Sequence, residues 1–311
     1  MPQSVHTLPY NTIKKMMQHY HTSLTTTPQG AVFRAKTEHA VITAYKSGKV
    51  LFQGGSPEKE AGKWTDATVN TSTKKENSTG KPQSTYAPPS TLFSQSHIGT
   101  DEAGTGDYFG PITVAGVYVS ADQIDTLKKM GVKDSKNLTD ATIRKLSREI
   151  VKMNIPYTLM VLANEKYNKL QASGWSQGKM KAMLHHSVIK SLLKKVEDKP
   201  LEGVLIDQFC EPAIYKRHIA SEKQLLAEKT YFMTKAESYS IAVAAGSIIA
   251  RSRFLDEIDR LSEKLGVTIP KGASKKVDQV IARLITEQGE DALNQCAKTH
   301  FANTTKAKAY L

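Results

Sequence analysis

Cysteine is almost absent from this chain: Cys210 and Cys296 are the two thiols in 311 residues. Two thiols cannot build a disulfide framework or a cysteine-ligated zinc site, so a reduced, cytoplasmic setting is expected. Long apolar runs are missing as well. No segment approaches the roughly 20 consecutive apolar residues that a membrane span needs, and no membrane partner is expected. The opening "MPQSVHTLPY" has neither the basic start nor the apolar stretch of a signal peptide. Common nucleotide-binding loops are absent too. No Gly-Lys pair is followed by Ser or Thr at the Walker spacing, and "GTGDYFG" (Gly104 to Gly110) has its third glycine one residue too late for a dinucleotide fingerprint.

Acid is short relative to base. Lys and Arg number 43 against 30 Asp and Glu, a formal net charge of +13. Such an excess implies a polyanionic partner, with nucleic acid ahead of any other. The apolar fraction of 39% and charged fraction of 23% are those of a soluble globular protein. The length suffices for one large domain or two ordinary ones.

Three regions are expected. Residues 1–60 read as a small α+β unit. "NTIKKMMQHY" (Asn11 to Tyr20) opens on a capping residue and spaces Ile13, Met16 and Met17 as a helix does. Strand-like runs follow at 31–36, 40–46 and 49–53, the last two joined by a Ser47-Gly48 turn. Residues 61–95 are rich in Ser, Thr, Pro, Asn and Lys with no apolar period, which predicts a flexible linker. Trp64 is the exception and is expected to dock on a neighbouring domain. From residue 96 to 311 strands alternate with helices, which predicts an α/β domain with a mixed sheet. Strands are expected at 98–100, 112–119, 157–163, 203–208 and 229–236. Helices are expected at 122–130, at 177–196, and from near Glu237 onward.

Two adjacent acids, Asp101 and Glu102, end the first strand of that region. Asp207 ends the apolar strand "VLID", and Glu237 stands where a strand gives way to a helix. Strand ends of an α/β sheet are where ligands commonly bind. If the strands are neighbours, four carboxylates converge. Their mutual repulsion would raise their pKa values unless a cation intervened. Hard divalent ions such as Mg²⁺ or Mn²⁺ prefer oxygen ligands, and a pair of them clamps a phosphodiester for in-line hydrolysis. For any single strand-end acid a turn role is commoner than ligation, and sequence spacing alone does not bring the four together. His185-His186 lacks zinc-ligand spacing, so surface or packing positions are expected for it.

"DEAGTGDYFGPITVAGVYV", "VKDSKNLT", "VLIDQF" and "KAESYSIAVAAGSIIARSRF", in that order, resemble the type 2 ribonucleases H from Ile98 to the C-terminus. The extra N-terminal unit, Glu at the fourth acidic position and "PKGASKKVD" are similar to the ribonuclease HIII branch rather than the HII branch. The resemblance implies a ribonuclease H-like sheet flanked by helices, preceded by a domain similar to TATA-box-binding protein that holds substrate. It implies cleavage of the RNA strand of RNA–DNA hybrids with two Mg²⁺ or Mn²⁺ ions, leaving 3′-hydroxyl and 5′-phosphate ends. Asp101, Glu102, Asp207 and Glu237 would be the metal ligands. Gly104, Thr105 and Gly106 would grip the ribose, whose 2′-hydroxyl distinguishes RNA. Ser135, Lys136, Lys271, Gly272, Ser274 and Lys275 would meet phosphates, with Tyr45, Lys46, Lys49 and Phe52 as contacts of the N-terminal unit. No obligate protein partner is implied, and a monomer is expected. Thr105 stands where ribonucleases HII carry Arg or Lys, and Gly272-Ala273 where they usually carry Gly-Tyr. Both departures imply a need for several consecutive ribonucleotides.

Overall fold

The computed structural model describes residues 3–28, 30–45, 47–65, 86–133 and 138–311. The chain divides into two compact units, Met1–Gly80 and Lys81–Leu311.

In the first unit, β1 (Gln3–Thr7) is followed by α1 (Tyr10–His19), β2 (Ala31–Lys36), β3 (Val41–Tyr45), β4 (Lys49–Gln53) and α2 (Pro57–Thr65). The sheet is antiparallel throughout in the order β1-β4-β3-β2. Alternation along the strands turns Phe33, Ala35, Ile42, Ala44, Val50 and Phe52 toward one face, where Ile13 and Met16 of α1 and Ala61 of α2 close the core. The hairpin turn forms as expected at its far end: Gly48 has φ +86° and donates its N–H to Tyr45 O at 3.0 Å. β1 is an addition to the expected strands. Its polar sequence "QSVHT" has no apolar signal and forms against the free edge of β4.

Of the residues expected as linker, 61–65 belong to α2 and 86–95 to the second unit. Residues 57–65 are helical because Ala61 and Trp64, three apart, both face the core. Trp64 docks within its own unit rather than on a neighbour: its Nε1–H donates to Tyr20 Oη at 2.6 Å, and that hydroxyl donates to the buried Glu60 at 2.8 Å. At the other end, Leu92 is fully buried against Leu205, Ala236 and Val243 of the second unit, and Phe232 N–H donates to Tyr86 O.

The second unit runs β5 (His97–Ala103), β6 (Ile112–Val119), α3 (Ile124–Lys129), α4 (Asp140–Lys152), β7 (Tyr157–Leu162), α5 (Asn164–Ala172), α6 (Gln177–Lys195), β8 (Gly203–Asp207), α7 (Pro212–Ala220), β9 (Thr230–Met233), α8 (Ile241–Leu265), α9 (Lys275–Gln288), α10 (Leu293–Cys296) and α11 (Ala302–Ala307). Its sheet has the order β7-β6-β5-β8-β9, antiparallel from β7 to β5 and parallel from β5 to β9. This is the expected mixed sheet. Every residue of β6 is buried because both faces are covered. Ala115, Val117 and Val119 face α8, while Ile112 and Val114 meet Met180 and Val188 of α6.

The small residues of "AVAAGS" in α8 let its backbone lie directly on β5. A Cβ at Gly99 would stand 2.1 Å from Val243 N, and one at Gly246 would stand 3.1 Å from Ala115 O. The N-terminus of α8 is fixed from the strand as well. Buried His97 donates from Nδ1 to Gln95 O, which leaves Nε2 to accept from Ser240 Oγ at 2.7 Å; Ser240 in turn caps the helix by accepting Val243 N–H. The helix begins at Ile241, later than the expected start near Glu237. Glu237 sits in a short 3₁₀ turn, Ala236–Ser238, entered through Lys235 at φ +57°.

Candidate active site

β5 and β8 run side by side in parallel, with Thr100 opposite Ile206 as their last paired residues. Asp101 and Asp207 each follow by one residue, so both acids stand at the same edge of the sheet. α8 crosses just behind them, and its Ser247 hydroxyl hydrogen-bonds Asp101. Asp101, Glu102, Asp207, Ser247 and Arg251 line a cavity of about 260 Å³, together with Gly104, Thr105, Gly106 and Asp107. Asp101 is only 6% exposed. Burial raises its pKa well above the usual carboxylate range, and the charges of Glu102 and Asp207 raise it further.

The three acids have different partners. Asp101 Oδ1 accepts Glu102 N–H at 2.7 Å. Asp207 Oδ1 accepts Ala236 N–H at 2.8 Å, which ties β8 to the turn that carries Glu237. Glu102 turns toward α6: Oε1 accepts Lys181 Nζ–H at 2.8 Å, and Oε2 meets His185 Nε2 at 2.9 Å. Burial alone would push Glu102 upward, but the His185 hydrogen bond and the charges of His185 and Lys181 outweigh it and hold the acid at about 2. The other ring nitrogen of His185, Nδ1, bonds Thr100 Oγ1 at 2.9 Å. His185 is fully buried. It is a packed residue, as expected, but it also belongs to the site.

Glu237 is 3% exposed and is not among the residues lining the cavity. Among the described residues, no three acidic, histidine or cysteine side chains are gathered tightly enough to hold an ion as they stand. The donor set nonetheless suits a hard divalent cation, since Asp101, Glu102 and Asp207 line one small cavity and a cation there would favour the ionised Asp101 that burial and its acidic neighbours disfavour.

The glycine loop is built beside the acids. Gly104 has φ +86°, and a Cβ there would stand 2.2 Å from Pro111 O. Thr105 O accepts Gln177 Nε2–H at 3.0 Å. Asp107 Oδ1 accepts Gly272 N–H at 2.6 Å, and Tyr108 N–H donates back to Gly272 O. Sequence reasoning missed Asp107, which joins the two expected substrate loops, 104–106 and 271–275. Lys298 lies behind them, with 0% exposure. Its Nζ donates to Asp107 O at 2.8 Å and Gly110 O at 2.6 Å, and burial lowers its pKa to about 7 against the opposing charge of Asp107. Lys271 is paired with Asp140, which Arg251 also approaches at 3.7 Å. Ser274 precedes the first residue of α9, and Lys275 opens the helix 6.0 Å from the Tyr310 ring.

Ser135, Lys136 and Lys46 lie outside the described residues. Tyr45 is half-buried at the end of β3, and Lys49 is exposed at the start of β4. Phe52 requires a correction as a substrate contact. Its ring is fully buried under the sheet because the alternation of β4 turns it inward with Val50, leaving Lys49, Leu51 and Gln53 on the other face.

Carboxylates on the two adjacent parallel strands of a mixed five-stranded sheet, backed by a helix, define a ribonuclease H-like nuclease. The ribonuclease HII family profile matches residues 98–304, and a domain of unknown function, DUF3378, matches residues 3–77. Ribonuclease HIII of Oceanobacillus iheyensis is 55% identical over 311 residues, covering all of both chains. That of Bacillus subtilis is 48% identical over 309 residues, covering 99% of this chain and 97% of its own. Among solved structures, Bst-RNase HIII in complex with Mn²⁺ is similar with a TM-score of 0.70 and 40% identity, covering 99% of each chain. The chain belongs to the ribonuclease HIII family.

Proposed function

We propose that this protein is an endoribonuclease that hydrolyses the RNA strand of RNA–DNA hybrids with two divalent ions, Mg²⁺ or Mn²⁺. The observation that carries the reading is the placement of Asp101, Glu102 and Asp207 around one cavity that the glycine loop also lines. Kinship with a relative solved with Mn²⁺ supports the choice of cation. Asp101, Glu102, Asp207 and Glu237 are the proposed ligands, with Asp101 placed between its two acidic neighbours. Ions held there would supply Lewis-acid activation of the scissile phosphate and of a water nucleophile, and the products would carry 3′-hydroxyl and 5′-phosphate ends.

The protein's own residues position the substrate. Gly104, Thr105 and Gly106 bring backbone close to a ribose, and only RNA offers a 2′-hydroxyl there. Arg251 places a positive charge at the cavity wall, where it faces incoming phosphate. Ser247 and the Glu102 amide orient Asp101, and Ala236 N–H orients Asp207. The basic surface, Tyr45, Lys46 and Lys49 of the 1–80 unit, and Ser135, Lys136, Lys271, Gly272, Ser274 and Lys275 hold the duplex. The protein works as a cytoplasmic monomer that removes hybrids and RNA primers in replication and repair.

The test is cleavage of a labelled RNA–DNA hybrid, a duplex with one embedded ribonucleotide, single-stranded RNA and duplex DNA, each with Mg²⁺, Mn²⁺ or EDTA. Metal-dependent scission of the hybrid alone, with poor cutting at the single ribonucleotide, is the expected result. Cutting of duplex DNA, or hybrid binding without cutting in either metal, overturns the reading.

A further inference from the structure

The mechanism above leaves one charged group unused, and it touches a proposed ligand. Lys181 projects from α6, and its ammonium sits 2.8 Å from Glu102 Oε1. The two side chains are 13% and 12% exposed, so solvent screens the pair weakly. The second oxygen of Glu102 is taken by His185, which Thr100 holds from behind. Both oxygens of this acid therefore point at α6. Lys181 also stands over the face of Phe209, 4.0 Å from the ring centroid.

We propose that Lys181 is a resident counter-ion of the metal site: it holds Glu102 in the absence of metal and must yield before Glu102 can ligate a divalent ion. The inference rests on the functional reading above. It follows from three charges in one small space. A divalent ion on Glu102 would stand next to an ammonium already in contact with the same carboxylate. Two cations at that separation in a largely enclosed site repel strongly. Glu102 cannot satisfy both without the ammonium moving away. The Phe209 face gives Lys181 a partner during that move, since an aromatic ring attracts an ammonium. His185 is suited to remain, because it engages the other oxygen and is locked by Thr100. Lys181 is thus a positioning residue that acts through Glu102. It keeps the acids from repelling each other before metal arrives and lowers metal affinity by competing for one ligand.

This role has a sign opposite to that of a residue that helps to build the site. The full-length protein, stripped of metal, is titrated with Mn²⁺ by calorimetry at fixed pH and without nucleic acid. Lys181→Met and Lys181→Gln should each bind Mn²⁺ about tenfold tighter than the unaltered protein, the low end of what one close opposite charge does to a carboxylate's proton affinity. Lys181→Arg keeps the charge, can grip the carboxylate with two donors, and should bind Mn²⁺ no tighter than the unaltered protein. Far-ultraviolet circular dichroism checks that each variant is folded, and the two neutral variants guard against one failing. Unchanged or weaker Mn²⁺ binding by the folded neutral variants overturns the inference while leaving the nuclease reading intact if the unaltered protein binds Mn²⁺ and cuts hybrid. An unaltered protein that neither binds Mn²⁺ nor cuts hybrid overturns the functional reading itself.

Discussion

Asp107 accepts a 2.6 Å hydrogen bond from the backbone N–H of Gly272, a residue 165 positions further along the chain. The bond joins the glycine loop at the acids to the loop that opens α9, and Tyr108 completes the junction by donating to Gly272 O. Asp107→Ala removes the charge-assisted half of this junction. Charge-assisted bonds to backbone are worth about 1.5–3 kcal/mol net. The variant should lose stability on that scale in urea denaturation. Its KM for hybrid should rise several-fold with little change in turnover at saturation, because the loop is the proposed substrate grip and the four proposed metal ligands are untouched. Equal KM values would show that the junction is not part of the grip.

Lys298 sets a pH signature. Its pKa in the folded chain is lowered from 10.5 to about 7, chiefly by burial. A lysine depressed in this way binds its proton less readily when folded than when unfolded. Stability contributed through this group therefore rises as pH climbs from about 7 toward the unfolded value near 10.4. Lys298→Met should abolish this rise. It should also cost about 1–3 kcal/mol at pH 7 through the carbonyls of Asp107 and Gly110 left without their donor. Denaturant melts of both proteins at pH 6, 7.5 and 9 provide the comparison, read as the difference between their slopes with pH.

Asp101, a proposed metal ligand, costs stability. Its pKa is raised above the unfolded value by burial, Glu102 and Asp207. The ionised acid thus opposes folding at neutral pH, and the cost is relieved as pH falls through the raised pKa. Asp101→Asn should therefore stabilise the metal-free protein at pH 8, with the gain shrinking as pH falls. The same variant should abolish cleavage and retain hybrid binding. Melting curves in EDTA, a cleavage assay and a binding isotherm test the three outcomes together.

The N-terminal unit should be removable at Gly80. Deleting residues 1–80 should weaken hybrid affinity by an order of magnitude or more while leaving turnover at saturation within a few-fold, if this unit supplies grip rather than chemistry. Extending the deletion to residue 92 should unfold part of the second unit, because fully buried Leu92 packs on Leu205, Ala236 and Val243. Losing a buried leucine of this kind costs about 2–5 kcal/mol. Melting and binding measurements on the two truncations separate the effects.

Much of the catalytic architecture was legible because it is local and apolar. "ITVAGVYV" and "GVLID" are buried strands, and their terminal acids stand out against them. Asp101 and Asp207 are singled out in this way, and the parallel pairing of β5 with β8 brings them to one edge of the sheet. α4 was missed although Ile143, Leu146 and Ile150 recur at helical spacing, because its stripe is thin among charged residues. Other features depend on contacts that carry no sequence mark. Lys181 and His185 look like ordinary helix residues until α6 packs on β5, and Lys298 reads as a surface lysine until it is buried with its ammonium on the carbonyls of Asp107 and Gly110. Phe52 was misjudged because an aromatic near a hairpin suggests a contact, whereas strand alternation decides which face it takes.

The pairing of β5 with β8 also bears on when the protein becomes able to cut. A chain extended from the ribosome only to residue 200 already carries Asp101 and Glu102, but it lacks the strand that brings Asp207 and the helix that backs them. Hydrolytic competence is thereby withheld until most of the polypeptide has been synthesised.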